Sequence, residues 1–170
     1  AMAVPLLDAL GANAGRWDLS KVFHFGSGGG LFSAHLQDGL RAQMPKAIIA
    51  DSIGSSEGGV FGSGSKPAQG EGFITLAARP DLAVISEDRR RFVGPGERGV
   101  LVRVGHVPLG YFGDPQKSAE TFFEVQGHRC AYTGDMARIQ EDGGIVVLGR
   151  GSQCINTGGE KVFTEEVEEV

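Results

Sequence analysis

Near the start of the chain, Val4 to Leu10 carries apolar residues at helical spacing, which predicts the end of a helix over 4–10. Lys21-Val22-Phe23-His24-Phe25 is a short apolar run closed by Gly26-Ser27-Gly28-Gly29-Gly30, the pattern of a strand followed by a turn. Ser33 can cap a helix over 34–44, in which Leu36 and Leu40 share a face, and Pro45 stops it. Ala47-Ile48-Ile49-Ala50 reads as a second buried strand, and Asp51-Ser52-Ile53-Gly54-Ser55-Ser56-Glu57-Gly58-Gly59 as the loop that leaves it. Strand, helix, strand predicts a βαβ unit and a parallel sheet. Both glycine-rich segments then lie at the carboxyl ends of neighbouring strands, the edge where open α/β sheets hold ligands.

From Phe73 onward the pattern shortens. Phe73-Ile74-Thr75-Leu76, Ala83-Val84-Ile85, Gly99-Val100-Leu101-Val102-Arg103-Val104 and Gly144-Ile145-Val146-Val147-Leu148 are strand-like. They are separated by turn signals at Arg79-Pro80-Asp81, Gly94-Pro95-Gly96 and Glu141-Asp142-Gly143-Gly144. A small antiparallel sheet or barrel is expected there. A brief helix is predicted over 118–123, after Asp114-Pro115. Another is predicted to begin in the acidic tail at 164–170, with Thr164 as its cap. The fold class is thus α/β, a partial parallel sheet with helices followed by a small antiparallel, barrel-like β-rich part.

Composition narrows this picture. At 170 residues and 41% hydrophobic, the chain has enough apolar material for one ordinary core. No apolar run approaches the roughly 18 residues that a membrane helix needs, and the first residues lack the basic-then-apolar order of a secretion signal. A net charge of -5 argues against a nucleic-acid footprint. Cys130 and Cys154 lack metal-ligand spacing and read as free thiols, so a soluble cytoplasmic protein is expected. The 28 glycines are more than twice the ordinary share of about 7%. They gather at the ends of apolar segments, where backbone can approach a ligand closely.

An ordered set of short motifs carries the candidate chemistry. Tyr132-Thr133-Gly134-Asp135 is followed, fifteen residues after the aspartate, by Arg150 of Gly149-Arg150. Gly158-Gly159-Glu160-Lys161-Val162 and Glu166-Val167-Glu168 come next. Each alone is a turn or a solvated charge; their order and spacing together are not explained that way. The series resembles the adenylate-forming superfamily, which includes acyl-CoA synthetases, peptide-synthetase adenylation domains and luciferases. The upstream segments agree: Gly26-Ser27-Gly28-Gly29, Ser52-Ile53-Gly54-Ser55-Ser56-Glu57, Gly96-Glu97-Arg98-Gly99-Val100-Leu101, Gly110-Tyr111 and Thr121-Phe122. Asn156-Thr157-Gly158-Gly159-Glu160-Lys161 points within that superfamily to fatty-acyl and related CoA ligases.

The resemblance implies that a carboxylate attacks the α-phosphate of ATP and that CoA then displaces AMP, with magnesium assisting. It would make Glu57 the magnesium-associated carboxylate and Ser56 an α-phosphate contact. Asp135 would accept from the ribose hydroxyls, and Arg150 would be a second ribose or phosphate contact. Gly29, Gly30, Leu31, Asp51, Ser52 and Ile53 would surround the adenine, and Lys161 would lie near phosphate or CoA. The pattern also departs from the family. Ile53 stands where an aromatic usually covers the adenine, Tyr132 where arginine is common, and Ser152 at the hinge. The corresponding organisation is 1–70 as the end of the α/β nucleotide-binding part, 71–149 as a β-rich subdomain, and 150–170 as the hinge and the beginning of a mobile C-terminal domain. The lysine-bearing phosphate loop and the adenylation lysine of such enzymes have no counterpart in the 170 residues. An internal piece, inactive by itself, is therefore expected. A carrier-protein-loading adenylation enzyme and a non-catalytic nucleotide- or acyl-binding module are the rival readings.

Overall fold

The computed structural model describes residues 2–28, 32–64, 74–151, 154–156 and 161–163. The chain divides into two units, Ala1–Ser52 and Ile53–Val170. In the first, α1 (Ala3–Ala12) precedes β1 (His24–Gly28), α2 (Ala34–Gln43) and β2 (Ile48–Ser55), whose last residues belong to the second unit. β1 and β2 pair in parallel from His24↔Ile48 to Gly28↔Ser52, with α2 as the crossover, as the βαβ pattern predicts. Ser33 caps α2 by accepting from Leu36 N at 3.4 Å, which satisfies one of the orphan amides of the first turn. Phe32, Leu40 and Met44 form the small core here, with Leu7, Val22, Phe25 and Leu36 packed against them.

The strand boundaries need correction. β1 was expected over 21–25 but begins at His24 and runs through the glycines to Gly28. A Cβ on Gly28 would lie 3.1 Å from Ser52 Oγ and 3.3 Å from Ser52 O, so this glycine permits close strand approach and does not mark a turn. Asp51 to Ser55, expected as loop, continues β2. The turn is only Ser56-Glu57-Gly58, after which β3 (Gly59–Gly64) pairs back onto β2.

The rest of the second unit is an antiparallel sheet. Its strands are β4 (Ile74–Leu76), β5 (Leu82–Ile85), β6 (Arg98–Val104), β7 (Phe122–Val125), β8 (His128–Ile139) and β9 (Ile145–Arg150). The order is β4-β9-β8-β6-β5, with β7 also paired to β8. Both faces are apolar. Leu101, Ala137 and Val147 pack with Phe61, Ile74 and Val84 in one cluster. Val100, Val102, Met136, Val146 and Leu148 pack with Ile85 and Val125 in another. Because strand side chains alternate, these unbroken runs bury a core on each side of one sheet, each full Val or Leu burial contributing about 1.5–3 kcal/mol.

Helix α3 (Pro115–Thr121) starts earlier than the expected 118–123. Pro115 pre-sets its first turn, and Asp114 caps it by accepting from Lys117 N at 2.9 Å. Phe122 and Phe123, expected to be helical, pair instead with Ala131 and Cys130 of β8. β10 (Cys154–Asn156) and β11 (Lys161–Phe163) form an antiparallel pair. The helix expected at 164–170 lies outside the described residues. Among the described residues no helix is long and apolar enough to cross a membrane.

Candidate functional site

The strongest local feature of the sheet is an interruption in β8. The ladder to β6 passes from Val100↔Met136 to Val102↔Tyr132, so Leu101 faces Thr133, Gly134 and Asp135 together. Gly134 supplies the left-handed backbone (φ 81) that this bulge requires. Thr133 replaces the missing ladder bonds. Its Oγ1 donates to Leu101 O at 2.8 Å and accepts from Asp135 N at 3.0 Å. The result is a carboxylate held in place at 5% exposure. Register supplies its partner: Asp135 lies opposite Arg150 on β9, and Arg150 Nε is 3.1 Å from Asp135 Oδ1. A charge this buried requires such a partner, since an unpaired one would be strongly destabilising.

Beside the bulge is a cleft of about 320 Å³, lined by Ser55, Glu57, Tyr111, Thr121, Tyr132, Thr133, Gly134 and Arg150. Tyr111 donates its hydroxyl to Glu57 Oε1 at 2.6 Å. That bond is the chief reason the Glu57 carboxyl is held below the usual carboxylate range, with smaller help from Ser55 and the Lys117 charge. The same bond pushes the Tyr111 phenol above its ordinary value. Tyr111 is fixed in turn, because its N–H donates to Ser118 Oγ at 2.7 Å and its ring meets the Phe122 ring at 5.6 Å. The Arg129 guanidinium holds the preceding loop by donating to Pro108 O and Leu109 O, both at 2.9 Å. Hydroxyls, one carboxylate and one guanidinium suit a ligand with phosphate or sugar groups.

The sequence-derived residues are distributed as follows. Glu57 and Arg150 line the cleft and Asp135 pairs with Arg150. Ser56 is exposed in the 56–58 turn, while its neighbour Ser55 lines the cleft and accepts from Gly58 N at 3.0 Å. Ile53 packs against the core cluster around Phe61. Asp51 and Ser52 belong to the first unit, where burial pushes the Asp51 carboxyl up and Ser52 Oγ donates to Ser27 O at 2.8 Å. Gly29, Gly30 and Leu31 lie outside the described residues. Lys161 is described in its backbone alone, paired with Asn156 in β11. Sequence reasoning assigned no role to Ser55, Thr121 or Thr133; Tyr111 stood out only as part of a Gly-Tyr pair.

No family model matches the chain. Individual proteins do. A medium/long-chain-fatty-acid–CoA/3-oxocholest-4-en-26-oate–CoA ligase of Mycolicibacterium smegmatis is 45% identical over 99% of this chain and 32% of its own length. A 3-oxocholest-4-en-26-oate–CoA ligase of Rhodococcus rhodochrous is 42% identical, with the same two coverages of 99% and 32%. Among solved structures, the anthranilate CoA ligase AuaEII in complex with anthranoyl-AMP superposes with a TM-score of 0.71 at 20% identity, over 99% of this chain and 36% of that one. The chain thus spans 32% of the length of the curated relatives it matches. Along 99% of its length the chain is similar to a segment of these fatty-acid–CoA ligases, and its fold matches that of a segment of the anthranilate CoA ligase.

Proposed function

We propose that this chain is part of an AMP-forming acid–thiol ligase that activates a fatty or related carboxylic acid as an acyl-adenylate and transfers it to CoA in the cytoplasm. The observation that carries the reading is the buried Asp135 carboxylate, fixed by the Thr133 bulge and paired with Arg150 beside a hydroxyl-lined cleft. In this role Asp135 accepts from both ribose hydroxyls, and Arg150 stands by the ribose or phosphate. Ser56 contacts the α-phosphate and Glu57 is the magnesium-associated carboxylate, while Lys161 serves phosphate or CoA. The adenine takes Gly29, Gly30, Leu31, Asp51, Ser52 and Ile53 as neighbours. The organisation that goes with this function is 1–70, 71–149 and 150–170, as set out from the sequence.

Magnesium fits Glu57 as one hard oxygen donor. Among the described residues no group of three or more His, Cys, Asp or Glu side chains gathers to hold a metal. When bound, magnesium neutralises charge on the phosphates. What the chain's own residues contribute is orientation of the nucleotide and compensation of its charge.

Names of the relatives support the substrate class, a medium- or long-chain fatty acid or a steroid side-chain acid. The test is acid-dependent ATP–pyrophosphate exchange, with thioester formation on CoA, by the longer protein of which this chain is a piece. The 170-residue chain alone is expected to bind nucleotide weakly and to make no adenylate. Exchange above background by the isolated chain, or none by the longer protein with any fatty or steroid acid, would overturn the reading.

A further inference from the structure

Arg89, Arg90 and Arg91 form a run of like charge at the end of β5, and such a run ordinarily forms a solvated face. Two of the three behave so: Arg90 pairs with Asp88 at 3.7 Å, and Arg91 pairs with Glu97. Arg89 is different. It sits at φ 61, and among the described residues only it and Gln126 are non-glycine residues in the left-handed region. The turn that holds it there is closed by Ser86. Ser86 O accepts from Arg89 N at 2.8 Å, and Ser86 Oγ accepts from Arg90 N and Arg91 N at 3.3 and 3.2 Å.

The guanidinium turned inward by this backbone meets three elements. It donates to Glu120 O at the end of α3, 2.8 Å away. It lies 5.0 Å from the centroid of Phe123 on β7 and 4.3 Å from that of Tyr132 on β8. Phe123 opposes Cys130, and Tyr132 lies two residues along, so both rings share one face of the sheet. Tyr132 is itself a wall of the cleft. A Cβ placed on Gly134 would be 3.8 Å from Tyr132 Cε1 and 3.7 Å from Arg150 Nη1, so the ring edge and that guanidinium flank the same glycine. Any turn of the Tyr132 ring therefore alters the wall next to the Asp135–Arg150 pair.

We propose that Arg89, which does not line the cleft, is the positioning residue for Tyr132, fixing its ring as the wall against which the nucleotide rests. This deepens the nucleotide reading above and rests on it. Tyr132 occupies the position at which the resemblance leads one to expect arginine; here a guanidinium arrives behind the ring, from the β5 turn. The contact is a half-buried cation–π interaction, a geometry in which arginine is favoured over lysine.

The experiment compares the longer protein as wild type, Arg89→Gln, Arg89→Lys, Arg90→Gln, Tyr132→Leu and the Arg89→Gln/Tyr132→Leu double variant. The readouts are KM for ATP and kcat in acid-dependent pyrophosphate exchange, with thermal unfolding alongside. Arg89→Gln is expected to raise KM about 3- to 10-fold, the range of one such contact, with kcat within about twofold. Arg89→Lys keeps the charge but loses the fork, and should raise KM about twofold. Arg90→Gln should leave both constants unchanged, and Arg89→Gln should add nothing in the Tyr132→Leu background. A wild-type KM in Arg89→Gln, or an equal effect without Tyr132, overturns the proposal. If the glutamine variant does not fold, the lysine variant decides, and a KM equal to wild type overturns the proposal. Wild-type protein that shows no exchange overturns the nucleotide reading itself, before any variant is compared.

Discussion

Thr133→Val tests whether one hydroxyl holds the bulge that presents Asp135. Valine keeps the β-branched outline, so the substitution opens no cavity and leaves strand propensity intact. It removes the donor to Leu101 O and the acceptor for Asp135 N, bonds of 2.8 and 3.0 Å at a residue 6% exposed. Each buried backbone group left unpaired costs about 1–3 kcal/mol, and the added apolar methyl offsets about 0.8 kcal/mol. The expected destabilisation is therefore about 1–5 kcal/mol. In a chain of 170 residues that corresponds to a Tm lower by roughly 2–20 °C. Thr133→Ser keeps the hydroxyl and loses only a methyl, so it should cost about 1 kcal/mol. Thermal unfolding gives the ranking, and amide hydrogen exchange across β8 locates the loss. If Thr133→Val is as stable as wild type, or if Thr133→Ser is the worse of the two, the hydroxyl does not hold the bulge.

Two further outcomes follow from the same site. Tyr111→Phe keeps the ring against Phe122 but removes the hydroxyl bonded to Glu57. The Glu57 carboxyl is lowered from 4.5, so the bond's stabilisation is complete above that pH and fades as pH falls through the lowered value. The Tyr111 phenol is raised from 10.0, so the same stabilisation is complete below pH 10.0 and fades as pH rises through the raised value. The variant should lose stability at neutral pH and show flatter acid and alkaline arms in a profile of Tm against pH. An acid arm as steep as wild type contradicts the pairing. Gly134→Ala meets ordinary contacts at its Cβ but a φ of 81, so it should cost roughly 1–2 kcal/mol through backbone strain alone. Urea denaturation checks this, and a neutral substitution would show that the bulge needs no left-handed residue.

The βαβ unit was legible because its signals are local: Ser33 before an amphipathic stretch, Pro45 after it, and an apolar run on either side. Strand ends were less legible. Glycine at 26 and 28 signals a turn in isolation, and only the pairing with Ala50 and Ser52 shows that it permits close strands. β8 was the largest omission, for the same reason in reverse. Gly134-Asp135 has the chemistry of a turn, and its position within a twelve-residue strand depends on β6 and β9 supplying partners. The hairpin before it turns at Gln126-Gly127, both with positive φ, a pair that lacks the usual Asn or Asp signal. At the site, Asp135, Arg150 and Glu57 stood out through motif order. Tyr111 acts on Glu57 across a separation of 54 residues, and Arg89 reaches Tyr132 through space; neither relation leaves a local mark in the sequence.

The most direct measurement of the central claim is Asp135→Asn in the longer protein. Asparagine keeps the shape of the 5%-exposed side chain and removes only the charge and one acceptor. If Asp135 receives both ribose hydroxyls, replacing two charge-assisted bonds by weaker neutral ones should lower kcat/KM for ATP about 30-fold or more in acid-dependent pyrophosphate exchange. The loss should appear mainly in KM, in protein whose circular dichroism matches wild type. An unchanged KM and rate in folded Asp135→Asn protein would contradict the assignment of the cleft to a nucleotide.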